Sequence, residues 1–527
     1  MTYKNLDSCA SFQALKELPR VSIAESLTPE RIESYTIPAA EGFLFNYAAA
    51  PVNEKIIDAL QKLAEEQELV EKYRALIEGE IMNTGEKRMV LHHLARGQLG
   101  KAVVFQGQNL RDFYENERRK IAEFAQSVHA GTLVGATGKQ FRTVVQIGIG
   151  GSDLGPRAVY LALDRWAEAA RRKRMKAAFI SNVDPDDADH TLASLDLETS
   201  LFILVSKSGT TQETLANETL VRARLESAGL DSSRHMIAVT SKTSPLAQSP
   251  DYLASFFIDD FIGGRYSTSS AVGGAVLSLA FGPETFLEFL EGAHAGDSAA
   301  LEPDIRKNAC LLDALIGLYE RNICGYPCTA VLPYAEPLVR FPAHLQQLDM
   351  ESNGKSVNRS GEVLAYKTGP VVFGEPGTNG QHSFYQLLHQ GTDVVPLQFI
   401  GFAENQNSSD VISMGTTSRQ KLMANFIAQI VAFARGKKDQ NPNKCFTGGR
   451  PATLLMARQL GPRQLGALIA HFENKVMFQG FAWNINSFDQ EGVQLGKVLA
   501  NKVLSIMQGE KTDDTALETL ARLTSKL

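Results

Sequence analysis

Thr143-Val-Val-Gln-Ile-Gly-Ile-Gly-Gly-Ser-Asp-Leu-Gly-Pro156 sets the reading of the chain. A β-rich run, Thr143–Ile149, enters a glycine cluster, and Ser152 and Pro156 then suit the opening of a helix. Leu201-Phe-Ile-Leu-Val205 repeats the arrangement. It runs into Ser206-Lys-Ser-Gly-Thr-Thr-Gln-Glu-Thr214, followed by Ala216, Leu220 and Ala223 at helical spacing. Ala177–Ile180 and Met236–Val239 are further short β-rich runs divided by amphipathic stretches. Strands separated by helix-length segments imply βαβ units and a parallel sheet. The pattern pauses at the Gly/Ser-rich stretch Gly263–Gly274 and resumes with Thr329–Leu332, Val371–Phe373 and Val394–Ile400. The expectation is an α/β chain with two doubly wound parallel sheets flanked by helices, one in residues 120–285 and one in 300–485. A helical N-terminal segment, 1–119, and a helical C-terminal segment, 486–527, complete it.

Composition narrows the function classes. The chain has 527 residues, beyond the roughly 250–300 at which one core stops growing. Its 53 basic and 59 acidic side chains leave a net charge of −6, with no basic block, which argues against nucleic acid or an anionic membrane as partner. The longest nearly apolar run, Ala271–Gly282, is shorter than the ~20 residues of a membrane span. The first nine residues lack the apolar core of a secretory signal, and the five cysteines are sparse and unpatterned, so a reducing, cytoplasmic setting is expected. Cys324 and Cys328 lack a second pair, and the adjacent His92 and His93 point to different sides of any helix, so no metal is expected.

Several loops carry groups with chemical potential. Glycines at 148, 150 and 151 let backbone approach an anion, but the sixth position of a dinucleotide fingerprint counted from Gly148 is Asp153, whose carboxylate would face a pyrophosphate. Four hydroxyls, one glycine and Lys207 at a helix start form a cradle suited to a phosphate monoester, and the spacing of Thr210 and Glu213 predicts a capping box there. The Walker pattern G-x-x-x-x-G-K-[ST] is missing from this loop. Loops after successive parallel strands share one edge of the sheet, so a single small phosphorylated ligand could touch both. Arg265 follows two glycines and could reach an oxyanion, or equally form a surface ion pair. Asp349 and Glu351 share a face if their run is extended. A glycine-punctuated turn delivers His382, whose ordinary pKa lies near neutrality, while His389 two helical turns on could be structural. Near the C-terminus Leu495, Val498, Leu499, Val503 and Ile506 form an apolar stripe, with Gln490, Gln494, Lys497 and Asn501 opposite.

Taken together and in order, these runs resemble the glucose-6-phosphate (phosphoglucose) isomerase family. The resemblance rests on Arg88-Met-Val-Leu-His92, Gly148-Ile-Gly-Gly-Ser-Asp-Leu-Gly155, Ser206-Lys-Ser-Gly-Thr-Thr211, Gly264-Arg-Tyr-Ser267, Asp349-Met-Glu-Ser-Asn-Gly-Lys355, Gly374-Glu-Pro-Gly-Thr-Asn-Gly-Gln-His382 and Ser487-Phe-Asp-Gln-Glu-Gly-Val-Gln-Leu-Gly-Lys497. It implies two sugar-isomerase (SIS) domains in a cytoplasmic homodimer with an active site shared between subunits. It also implies interconversion of D-glucose 6-phosphate and D-fructose 6-phosphate without metal or nucleotide cofactor. By match to the family motifs, Ser206, Ser208 and Thr211 would hold the phosphate with Lys207 nearby, and Gly151 and Ser152 would line the sugar. Glu351 would move the proton between C2 and C1, and Arg265 would stabilise the enediolate. His382, from the partner subunit in this family, and Lys497 would open the ring, with Gln347 and Gln490 positioning hydroxyls. Ser208-Gly209 stands where Thr-Phe is familiar in animal members, which removes a bulky pocket wall.

Two other readings compete. A non-catalytic SIS module sensing sugar phosphate would keep the 206–211 cradle but need not keep Glu351, His382 and Lys497 together. A nicotinamide-dependent dehydrogenase is suggested by the 148–151 glycines and opposed by Asp153.

Overall fold

The computed structural model describes residues 1–407 and 409–524. Residues 1–487 form one compact body built on two sheets. The first sheet contains Thr143–Ile147, Lys176–Ile180, Ser200–Val205, Met236–Ser241 and Ser255–Ile258. All its pairings are parallel, and its order across the sheet is second, first, third, fourth, fifth in chain sequence. That order places the topological switch point between Thr143–Ile147 and Ser200–Val205, the neighbours from which the two glycine or hydroxyl loops emerge. Ser200–Val205 is buried at every position, as a central parallel strand covered on both faces must be.

In the second sheet, Cys328–Pro333 lies between Val371–Gly374 and Leu397–Phe402, and Ala452–Ala457 pairs with Leu397–Phe402, all in parallel. The parallel strands thus repeat the winding of the first sheet. Two strands from the N-terminal segment then extend this sheet: Leu44–Asn46 pairs antiparallel with Ala452–Ala457, and Thr36–Pro38 pairs with Leu44–Asn46. The segment 1–119 is therefore not purely helical, and a small hairpin at Val104–Phe105 and Gln108–Asn109 departs from that reading too. Each of these strands has only two or three residues, too few to show a period-2 pattern.

Boundaries moved for local reasons. The strand read as Thr143–Ile149 ends at Ile147, where the glycines begin. The one read as Val394–Ile400 starts at Leu397, after Pro396, whose carbonyl accepts from Ala330 N but which has no N–H to donate. The apolar run at 271–282 becomes the helix Ala271–Phe281, buried at every residue, and no helix among the described residues is long and apolar enough to cross a membrane.

The longest helix, Pro462–Ala482, runs through the interior with charged side chains buried in partnership. Glu473 and Asp297 flank Arg96, with Arg96 Nη1 3.1 Å from Asp297 Oδ2. Lys475 Nζ donates to Asp313 Oδ1 at 3.0 Å, and His471 Nε2 lies 3.1 Å from Asp313 Oδ2. Buried charges of this kind persist only when paired, and breaking one such pair typically costs ~3–5 kcal/mol.

Residues 488–524 form a second body of two helices, Gln494–Met507 and Thr515–Thr524. The stripe read near the C-terminus lies on the first of these, with Leu495 and Val498 exposed.

Candidate active site

Four loops converge at the carboxyl edge of the first sheet. The loop after Thr143–Ile147 makes a single 3-10 turn, Gly150–Ser152, before the helix Leu154–Ala169. Gln146 holds it by donating to Ser152 O at 2.6 Å. Gly151 meets the backbone of Gly264 so closely that a Cβ would stand 2.1 Å from Gly264 C, so only glycine allows the two loops to touch. A Cβ on Gly150 would lie 3.2 Å from Gln347 Nε2, which places Gln347 against the same loop. Ser152, half-buried, closes the turn.

The second loop, 206–211, leads to the helix Gln212–Ser227. The expected capping box does not form. Thr211 is the N-cap but its side chain makes no cap bond, and Thr210 Oγ1 instead donates to Ser208 Oγ at 2.9 Å. Ser206 Oγ, buried, donates to Thr211 Oγ1 at 3.2 Å and accepts from Gly209 N at 3.1 Å. The helix therefore keeps first-turn N–H groups that no side chain satisfies, beside a ring of hydroxyls, the arrangement that binds an anion. Gly209 has φ +69°, and a Cβ there would come within 2.2 Å of Ser244 Oγ; local packing, together with the left-handed backbone, excludes a bulky side chain. Ser208 is exposed at the rim. Lys207 Nζ donates to Ile262 O at 3.4 Å and lies 3.4 Å from Asp260 Oδ1, so this loop touches the segment leading to Arg265.

Arg265 lies in the 3-10 helix Gly264–Ser269 and is almost fully buried. Its Nε donates to Ser352 Oγ at 2.7 Å, Nη2 to Ser487 O at 2.6 Å, and Nη1 sits 3.1 Å from Glu351 Oε1. Tyr266 supports it, with its hydroxyl 3.0 Å from Ser352 Oγ and its ring stacked on His92 at 4.7 Å. Arg96 Nε donates to Ser269 Oγ at 2.9 Å, tying the same 3-10 helix to the buried ion cluster. The surface ion pair considered for Arg265 is excluded by its burial.

Glu351 ends a π-turn, Gln347–Glu351, that continues the helix Phe341–Gln346. The run is not extended, so Asp349 and Glu351 do not share a face. Glu351 keeps 18% of its side chain exposed beside Arg265, while Asp349 Oδ1 is buried on the other side of the turn. Burial pushes the Asp349 carboxyl up to about 6. A carboxylate next to a guanidinium, reached by solvent on one side, is equipped to take a proton from carbon while the guanidinium balances the charge that develops on neighbouring oxygens.

The structure joins Gly151, Ser152, Gln347, Glu351 and Arg265 directly, and links Ser206, Lys207, Ser208 and Thr211 to them through Lys207 and Ile262. His382 ends a 3-10 turn, Asn379–His382, and is exposed, whereas His389 stacks on Phe433 at 3.8 Å and pairs with Gln429, the structural role left open for it. Gln490 and Lys497 belong to the second body, both exposed, with Lys497 on the helix Gln494–Met507. Asp153 is buried and paired with Arg157 at 2.7 Å, placing a carboxylate where a dinucleotide would need none. Burial holds His93 down at about 3 and His92 well below its usual range, so both are neutral packing residues. Sequence reasoning missed Ser352 and Tyr266 as supports of Arg265. The adjacency of Ser352 to Glu351 and of Tyr266 to Arg265 was the available signal.

A family model described as phosphoglucose isomerase matches residues 46–519. A glucose-6-phosphate isomerase of Treponema denticola is 60% identical over 514 residues, covering 96% of this chain and 97% of that protein. One from Borreliella afzelii is 45% identical over 526 residues, 99% of each chain. The crystal structure of a glucose-6-phosphate isomerase from Chlamydia trachomatis matches with a TM-score of 0.92 at 44% identity, again over 99% of each chain.

Proposed function

The chain belongs to the phosphoglucose isomerase family, and from that membership we propose that it interconverts D-glucose 6-phosphate and D-fructose 6-phosphate as an aldose–ketose isomerase of glycolysis and gluconeogenesis. The observation that carries the chemistry is the Glu351–Arg265 pair, 3.1 Å apart, on the sheet edge that also presents the hydroxyl loop.

The phosphate dianion sits on Ser206, Ser208, Thr211 and the first N–H groups of the following helix, with Lys207 supplying positive charge. Its binding energy, remote from C1 and C2, fixes the sugar against Gly151, Ser152 and Gln347. His382 and Lys497 exchange protons with the ring and hydroxyl oxygens to open the hemiacetal, and Gln490 orients a hydroxyl. Glu351 then removes the C2 proton of the open aldose. Electrons flow toward the C1 carbonyl, and Arg265 stabilises the resulting enediolate. Return of that proton to C1, with the O2 hydroxyl proton passing to O1, gives the ketose. Nothing is oxidised or reduced overall, so the reaction calls for no redox cofactor.

The same reading makes the protein a cytoplasmic homodimer whose active site is shared, with His382 supplied across the interface; the exposure of His382 suits that role. It also assigns 120–285 and 300–485 to two SIS domains, between a segment 1–119 and a C-terminal segment 486–527. The strands of the first sheet and the parallel strands of the second fall within those limits.

The test is a coupled assay of the purified protein with chelator present, supplying fructose 6-phosphate and detecting glucose 6-phosphate, run in parallel in D2O. Turnover with solvent deuterium entering the transferred position supports the proton-transfer path. Phosphosugar binding with no turnover or exchange overturns it in favour of a sensing module.

A further inference from the structure

Behind the π-turn that carries Glu351 lies a small cavity that the proposed reaction does not use. Its walls include the strand Cys328–Pro333, the buried helix Pro462–Ala482 and the end of the helix Ala309–Tyr319. Asp349, Lys475, Glu320 and Gln479 line it. Asp349 Oδ1 and Gln479 Oε1 are buried with no hydrogen-bond partner among the described residues. Lys475 has three ammonium hydrogens, and Asp313 takes one of them at 3.0 Å. The cavity measures about 30 Å³ of water-sized space, enough for one ordered water, which needs two to four polar partners of the kind assembled here.

The turn is also held on this side. Asn353, one helical turn beyond Asp349, donates to Val476 O of the long helix at 3.0 Å, whereas Glu351 and Ser352 between them face Arg265. Asn353 thus grips the interior helix, with Asp349 on the same side of the turn, while Glu351 faces Arg265.

We propose that Asp349 is a positioning residue for Glu351, bridged through a buried water to Lys475 so that the π-turn holds the base at one fixed distance from Arg265. This rests on the reading of Glu351 as the base. The charge balance around the cavity supports it. Asp313 and Lys475 neutralise each other, with His471 and Gln398 also bound to Asp313 and Arg321 on the far wall. Burial keeps Glu320 protonated up to about 8, so at neutral pH Asp349 is the carboxylate left to face the remaining Lys475 donors.

The test uses the full chain in the coupled assay. Asp349→Asn should lower kcat by about 10-fold or more while leaving KM for fructose 6-phosphate within about 2-fold, because a slightly displaced base loses rate and not substrate grip. As pH falls through about 6 the wild type should lose rate toward the variant's level, by the factor that Asp349→Asn itself costs, and the variant should lack this extra fall in its log kcat–pH slope. Unchanged kcat, an unchanged slope, or a loss shared equally between kcat and KM overturns the proposal. Should the variant fail to fold, high-resolution diffraction of the wild type decides: a water within hydrogen-bond reach of Asp349 Oδ1 and Lys475 Nζ is expected, and a dry cavity refutes it. Glu351→Gln, run alongside, separates the two ideas. If it retains turnover, the base assignment falls; if it is inactive while Asp349→Asn is normal, only the positioning role falls.

Discussion

Both sheets wind their parallel strands in the same order, yet their equivalent crevices differ in what fills them. At the first switch point the loops present glycine backbone, hydroxyls and an arginine. At the second, between Cys328–Pro333 and Leu397–Phe402, the chain leaves the strand into Tyr334, fully buried, which packs on Phe426 at 5.1 Å and Phe399 at 5.8 Å and meets the Tyr385 hydroxyl at 3.2 Å. One crevice is shaped for a ligand and the other is closed by rings. Topology offers two sites, and the residues just past the strand ends decide which one is used. The second sheet serves the first by carrying Glu351, on one of its connections, to Arg265.

That contrast breaks most visibly at the aromatic plug. Tyr334→Ala should cost about 3–5 kcal/mol of stability, from the cavity it leaves, while KM stays near normal well below the melting temperature; a large KM rise with little change in melting would reverse the roles assigned to the sheets. Glu351→Gln should do the opposite, lowering kcat at least ~10²-fold with a smaller change in thermal melting than Tyr334→Ala. An intermediate effect is expected at Glu320. Its buried carboxyl holds a proton up to about 8, while the unfolded chain releases it near the ordinary 4.5. The folded state therefore binds the extra proton between those values, and this contribution to stability, complete below about pH 4.5, is lost as pH rises through about 8. Glu320→Gln should remove that slope in melting curves taken from pH 5 to 9; an identical slope in the variant would assign the titration elsewhere. The smallest change belongs to the rim of the first crevice, where Ser208→Ala should raise KM about 10-fold, the scale of one hydrogen bond to a charged group, without altering kcat. A pure kcat loss would take Ser208 out of phosphate binding.

What the sequence disclosed follows from how local each signal is. Leu201–Val205 reads as a buried strand because an unbroken apolar run is what a doubly covered parallel strand requires, and the loops after it announce themselves by composition. Ser255–Ile258 escaped notice because it has only four residues, and Ala452–Ala457 because it follows the irregular stretch 436–451. The interior helix Pro462–Ala482 was illegible for another reason. Glu473 and Lys475 look like surface residues until their partners Arg96 and Asp313, hundreds of residues or more than a hundred residues away in the chain, are placed beside them. The Asp349–Glu351 relation turned on whether the backbone was extended, and a π-turn sends the two carboxyls to opposite sides. Gln490 and Lys497 were named by motif resemblance alone, since their spacing favoured a solvated helix face.

The N-terminal ribbon at 36–46 hydrogen-bonds to Ala452–Ala457, about 400 residues downstream. During synthesis at ~5–20 residues per second, that ribbon emerges from the ribosome roughly 20–80 s before its neighbour exists. The last edge of the second sheet is thus sealed only when translation is nearly over, so a prematurely terminated chain would leave the ribosome with an unpaired strand edge, the kind of surface that invites aggregation.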